Sequence, residues 1–166
     1  AFESRYQIVD HHANDASGFS ATLMFDTESN SYTLSFRSTE PRPGVEGGDA
    51  ERDGLFASGL TPAADGEIGL DGFAFGQLIA MERYYLELTT SGKLPAGATL
   101  NVTGFSLGGH LATVFTELHT NQVAQTTVFN ASGRGRMDGF SGTDAATLSA
   151  EAQQIDAMLT RFMAVL

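Results

Sequence analysis

Residues 99–118 read TLNVTGFSLGGHLATVFTEL, and this stretch changes its hydrophobic period at a serine. Before it, Thr99-Leu100-Asn101-Val102-Thr103 alternates polar and apolar residues, as a half-buried strand does. After it, Leu107, Leu111, Val114, Phe115 and Leu118 recur at the spacing of a helix packed on one face. The junction is Gly104-Phe105-Ser106-Leu107-Gly108, a G-x-S-x-G sequence. A serine at a sharp strand-to-helix turn is held in a strained conformation at the tip of the sheet, with its hydroxyl exposed and the positive end of a helix beside it. Ser106 is therefore the candidate nucleophile. The turn needs Gly104 and Gly108, because a Cβ at either position would meet the neighbouring strand or helix. The five residues alone are also compatible with a glycine-rich turn carrying a solvated serine; the flanking strand and helix patterns favour the nucleophile turn.

Outward from the motif, residues 6–9 and 19–25 read as strands, and 31–37 place Tyr32, Leu34 and Phe36 on one face. The polar linker 26–30 joins the last two as an antiparallel hairpin. Residues 41–72 are rich in Gly, Pro, Asp and Glu and read as a long loop. Phe75, Leu78, Ile79, Tyr85 and Leu86 mark a helix that ends near Ser91-Gly92, before the nucleophile strand. This strand, helix, strand alternation is that of a parallel sheet. Residues 125–129 form a further strand, followed by a flexible segment 130–136. Leu148, Ile155, Met158, Leu159, Phe162, Met163 and Leu166 form an amphipathic stripe that reaches the last residue without a cap, so the sequence is expected to stop inside a helix.

At 166 residues and 42% apolar content, the chain suits a single domain with a core. Twenty acidic against nine basic side chains, a formal charge of −11, oppose binding to nucleic acid. With no cysteine, disulfides and thiolate metal sites are excluded. No apolar run approaches the roughly 20 residues that span a bilayer, and the first residues lack a signal-peptide pattern. Glu46, Asp49, Glu51, Asp53, Asp65, Glu67 and Asp71 offer oxygen atoms of the kind Ca²⁺ accepts, but their spacing matches no EF-hand, and they read as a solvated loop. No metal or other cofactor is expected. Leu55, Phe56 and Leu60 in the same loop suit a lid or an acyl-chain groove.

Residues 18–136 resemble an α/β-hydrolase of the class 3 lipase type, and in detail the lipase-like domains of bacterial repeats-in-toxin secreted proteins. The resemblance is carried by Gly18-Phe19-Ser20-Ala21-Thr22-Leu23, by Tyr32 through Glu40, by Gly76-Gln77-Leu78, by the elbow from Val102 to Ala112, and by Val128-Phe129-Asn130-Ala131. It implies a three-layer α/β sandwich with a mostly parallel sheet, a secreted address, and hydrolysis of lipid-like carboxylic esters through an acyl-enzyme on Ser106. In the family, the strand before the first crossover ends Phe-Arg-Gly-Thr or Phe-Arg-Gly-Ser; here Ser38 stands in place of the glycine. The next residue's backbone N–H lines the oxyanion hole, which maps onto Thr39, with the N–H of Leu107 as the second donor. Each preorganised donor of this kind lowers an acyl-transfer barrier by about 3 to 4 kcal/mol.

A serine hydroxyl needs a base to take its proton, and the fold's order is Ser, then Asp, then His. Only His110 and His119 follow Ser106, both on the nucleophile helix. At about 1.5 Å per residue, His119 lies roughly 20 Å away along the axis. His110 is one turn away but precedes every candidate acid, and suits packing or a hydrogen bond under the elbow. His11 and His12 read as loop histidines. Asp138, Asp144 and Asp156 fall in a loop or the terminal helix rather than after a further strand. The chain is therefore expected to be an incomplete segment of a hydrolase domain, with its acid and base beyond residue 166 or on a second polypeptide. Two alternatives stay open: an inactive lipase-like binding or scaffold domain, and another acyl-transfer enzyme on the same fold.

Overall fold

The computed structural model describes residues 2–38 and 74–133. Thr39, the acidic loop with Leu55, Phe56 and Leu60, the carboxylates Asp138, Asp144 and Asp156, and the terminal amphipathic stripe lie outside the described residues. Five strands form one sheet in sequence order: β1 (Tyr6–His12), β2 (Ala21–Asp26), β3 (Ser31–Phe36), β4 (Leu100–Phe105) and β5 (Val123–Phe129). A single-turn helix α1 (Phe2–Arg5) precedes β1, helix α2 (Phe75–Thr90) precedes β4, and helix α3 (Leu107–Leu118) joins β4 to β5.

The sheet is mixed rather than mostly parallel. β1 and β3 both run antiparallel to β2, whereas β3, β4 and β5 run parallel to one another. Connection length accounts for the difference. The first three strands are joined by short loops, which reverse direction, while α2 and α3 carry the chain back over the sheet as parallel crossovers require. Both helices cover the same face. Leu23, Leu34 and Val102 from the strands pack in one core with Leu78, Met81 and Leu88 of α2 and with Leu111 and Phe115 of α3. Two of the three expected layers are thus present among the described residues.

Along β4 the alternation read from sequence holds: Leu100, Val102 and Gly104 are buried, and Asn101 and Thr103 less so. The stripe on α3 ends one residue early, since Leu118 is exposed and Phe115 is fully buried. His11 and His12 are not loop residues. A register shift between Ile8 and Asp10 lets β1 continue to His12, where His11 bonds the Thr22 hydroxyl on β2 at 2.9 Å. The polar composition of this half of the strand hid its pairing.

The β2–β3 hairpin turns on Asp26, whose Oδ1 accepts the backbone N–H of Glu28 at 3.0 Å and whose neighbour across the turn, Asn30, takes a positive φ of 52°. Arg5 grips the same carboxylate through Nε at 2.9 Å and Nη2 at 2.6 Å, so α1 is tied to the end of β2, the strand of the hairpin that pairs with β1. The guanidinium holds the Asp26 carboxyl well below the usual carboxylate range. A depressed carboxyl contributes stability that is complete above its unfolded pKa, about 4, and is lost as pH falls through the folded value. In Asp26→Asn, the deficit in unfolding free energy should accordingly be largest at pH 7 and shrink steadily as pH falls from 4 to 2. Urea titrations of both proteins measure it; an equal deficit at both ends would show that the charge is not what matters.

Candidate active site

Ser106 sits between the last residue of β4 and the first of α3 with φ 52° and ψ −118°. A positive φ is unusual for a residue with a side chain and costs of order 1 to 3 kcal/mol, so the surroundings must hold it. They do so through backbone groups on three sides. The Ser106 N–H donates to the carbonyl of Phe129 at 3.0 Å, and its own carbonyl accepts the N–H of His110 at 3.1 Å and that of Ser132 at 3.3 Å. The serine side chain makes no cap hydrogen bond to the helix that it begins, although serine is a preferred capping residue.

Three glycines allow the close approach. A Cβ on Gly104 would run into the backbone of Gly108 and Gly109, and one on Gly108 would run into the carbonyls of Phe36 and Arg37 at the end of β3. Gly109 was not marked out by the G-x-S-x-G pattern, yet a Cβ there would lie 2.7 Å from the Cβ of Ala131. The Gly108-Gly109 doublet was the available signal. The loop after β5, expected to be flexible, is held on the elbow from 130 to 133: Asn130 and Gly133 take positive φ values of 46° and 77°, and Ser132 bonds Ser106 as above.

Leu107, the proposed second donor, is buried and packs against Ala74, the residue that starts α2. Its N–H belongs to the first turn of α3, where amides have no partner within the helix and the macrodipole is positive. No acidic side chain occupies that turn. Beside the serine, Phe105 and Phe129 are paired in register at the ends of β4 and β5 and remain 53% and 58% exposed.

All four histidines are described, and each is bonded to a group other than the Ser106 hydroxyl. The His110 ring is fully buried: Nδ1 lies 2.6 Å from the carbonyl of Gly133, and Nε2 accepts the N–H of Ala74 at 3.2 Å. Burial pushes its pKa below the ordinary histidine value. His119 caps the other end of α3, with Nε2 2.9 Å from Glu82 Oε2 and its ring against Tyr85 and Phe115. His12 bonds Asp15 at 3.2 Å and packs against Phe19 and Tyr84, while His11 bonds Thr22 as described. Both stand on β1, three strand spacings or roughly 14 Å from β4. The described residues contain no cluster of three or more His, Asp or Glu side chains that could hold a metal ion.

No protein-family profile matches the chain, and no curated protein does so. Among solved structures it is similar to the Lip2 lipase from Yarrowia lipolytica, with TM-score 0.47 and 17% identity over 76% of this chain and 47% of that one. It is also similar to a deletion mutant of Rhizomucor miehei lipase in a propeptide complex, with TM-score 0.42 and 14% identity over 76% of this chain and 40% of that one. The chain thus spans less than half the length of either. At these identities the likeness is one of partial chain trace, and the chemistry of the site rests on its own geometry.

Proposed function

We propose that the chain carries the nucleophile portion of a secreted serine ester hydrolase of α/β-hydrolase type, acting on lipid-like carboxylic esters. The observation that supports this best is the conformation of Ser106: a positive-φ serine at a strand-to-helix turn, wedged by Gly104 and Gly108, with its hydroxyl not used to cap the helix. In this reading Ser106 Oγ attacks the ester carbonyl carbon and its proton passes to a histidine held by an acid, both supplied by protein outside these residues. The negative charge that develops on the carbonyl oxygen is met by the N–H groups of Leu107 and Thr39. Collapse expels the alcohol, which takes the proton from the histidine, and water then releases the acid from the serine. The exposed Phe105 and Phe129 beside the serine suit an acyl chain. No metal or cofactor takes part. The partners are the ester substrate and the remainder of the domain, on the same or a second polypeptide.

A second reading, a lipase-like binding or scaffold module, is favoured by one observation: every histidine of the chain is committed elsewhere. Fluorophosphonate labelling of the intact gene product separates the two. Mapped label on Ser106, lost in Ser106→Ala, is the expected result. An unlabelled protein that is folded would favour the module.

A further inference from the structure

The imidazole of His110 joins two chain segments that are 36 and 23 residues away in sequence, and both border the elbow. On one side is the N–H of Ala74. Ala74 is the N-cap of α2 and its side chain can accept no hydrogen bond, so the imidazole receives an amide that the helix leaves without an internal partner. Ala74 also packs on Leu107, next to the serine. On the other side is the carbonyl of Gly133, at the end of the loop whose Ser132 donates to the Ser106 carbonyl. A carbonyl can only accept and an amide N–H can only donate. The two contacts together therefore require a ring that carries its proton on Nδ1 and a lone pair on Nε2.

We infer that His110 is a positioning residue, a neutral Nδ1–H imidazole that fastens the start of α2 and the loop 130–133 to the first turn of α3 and so holds the walls around Ser106. Neither a cation nor the other tautomer serves, because each puts a proton on Nε2 facing the Ala74 N–H. The burial that depresses its basicity keeps the ring neutral. The consequence for reactivity rests on the reading of Ser106 as nucleophile; the fastening itself does not.

The test uses the intact gene product for both structure and reactivity. Imidazole ¹⁵N NMR of the unmodified protein should show His110 with a protonated Nδ1 and an unprotonated Nε2. A cationic ring or a protonated Nε2 would overturn the inference without recourse to any variant. In His110→Leu, amide hydrogen exchange at Ala74 and Ser132 should quicken about tenfold or more relative to the change at Val102 in β4. His110→Gln, which keeps a donor and an acceptor, should recover part of that protection. Equal changes at all three amides, or a Gln variant no better than Leu, would reduce His110 to core packing. In the intact gene product, labelling of Ser106 by fluorophosphonate should slow in the Leu variant and recover in the Gln variant. If the unmodified protein is not labelled at all, the nucleophile reading fails while the exchange data still decide the fastening.

Discussion

Assayed alone with a short-chain nitrophenyl ester, the 166-residue chain should show no enzyme-like turnover. At most, oxyanion donors and binding without a base give about 10³ to 10⁴ over water, and disabling a triad's serine or histidine lowers kcat by roughly 10⁶. The expectation follows from the placement of every histidine in the sequence. His110 spends both ring nitrogens on backbone groups of Ala74 and Gly133, His119 is bound to the buried Glu82 at the far end of α3, and His11 and His12 stand on the far edge of the sheet. Ser106→Ala should therefore change the rate of the isolated chain very little. Robust turnover that disappears in Ser106→Ala would mean that one of these histidines leaves its partner to act as base, and His110, His11 and His12 would be the ones to replace.

The second large effect concerns the glycines. Gly108→Ala places a methyl against the carbonyls of Phe36 and Arg37, and Gly104→Ala places one against the backbone of Gly108. In both cases the obstacle is backbone, which has no rotamer by which to withdraw, so α3 must separate from β3 or from β4. Each substitution should lower stability on the order of 3 kcal/mol or more, at the upper end of overpacking effects. Gly76, on the first turn of α2, is exposed, and a Cβ there would meet no other segment among the described residues, so it serves as the control. Gly76→Ala should be neutral or stabilise by roughly 0.5 to 1 kcal/mol through helix propensity. Denaturant unfolding of the three variants measures the contrast. A Gly108→Ala protein as stable as Gly76→Ala would show that the elbow does not close as described.

The site stands on local features that can be altered one residue at a time.

What the sequence by itself determined is local. A change from period two to period 3.6 at Ser106, with glycines two residues to either side, was enough to place β4, the turn and α3, because the alternation, the glycine spacing and the helical repeat are all written in adjacent residues. The hairpin at residues 26–30 was legible for the same reason. Tertiary structure decided the rest. The sheet came out mixed because strand direction depends on how each connection returns the chain, which the strands themselves do not encode. β1 reached His12 only because β2 supplied partners for a polar stretch without alternation. His110 read as suited to packing or a hydrogen bond under the elbow, with no partner named. Its partners emerged only when folding brought Ala74 and Gly133 to its two nitrogens, since a buried polar ring must find its partners wherever the chain delivers them, however distant in sequence.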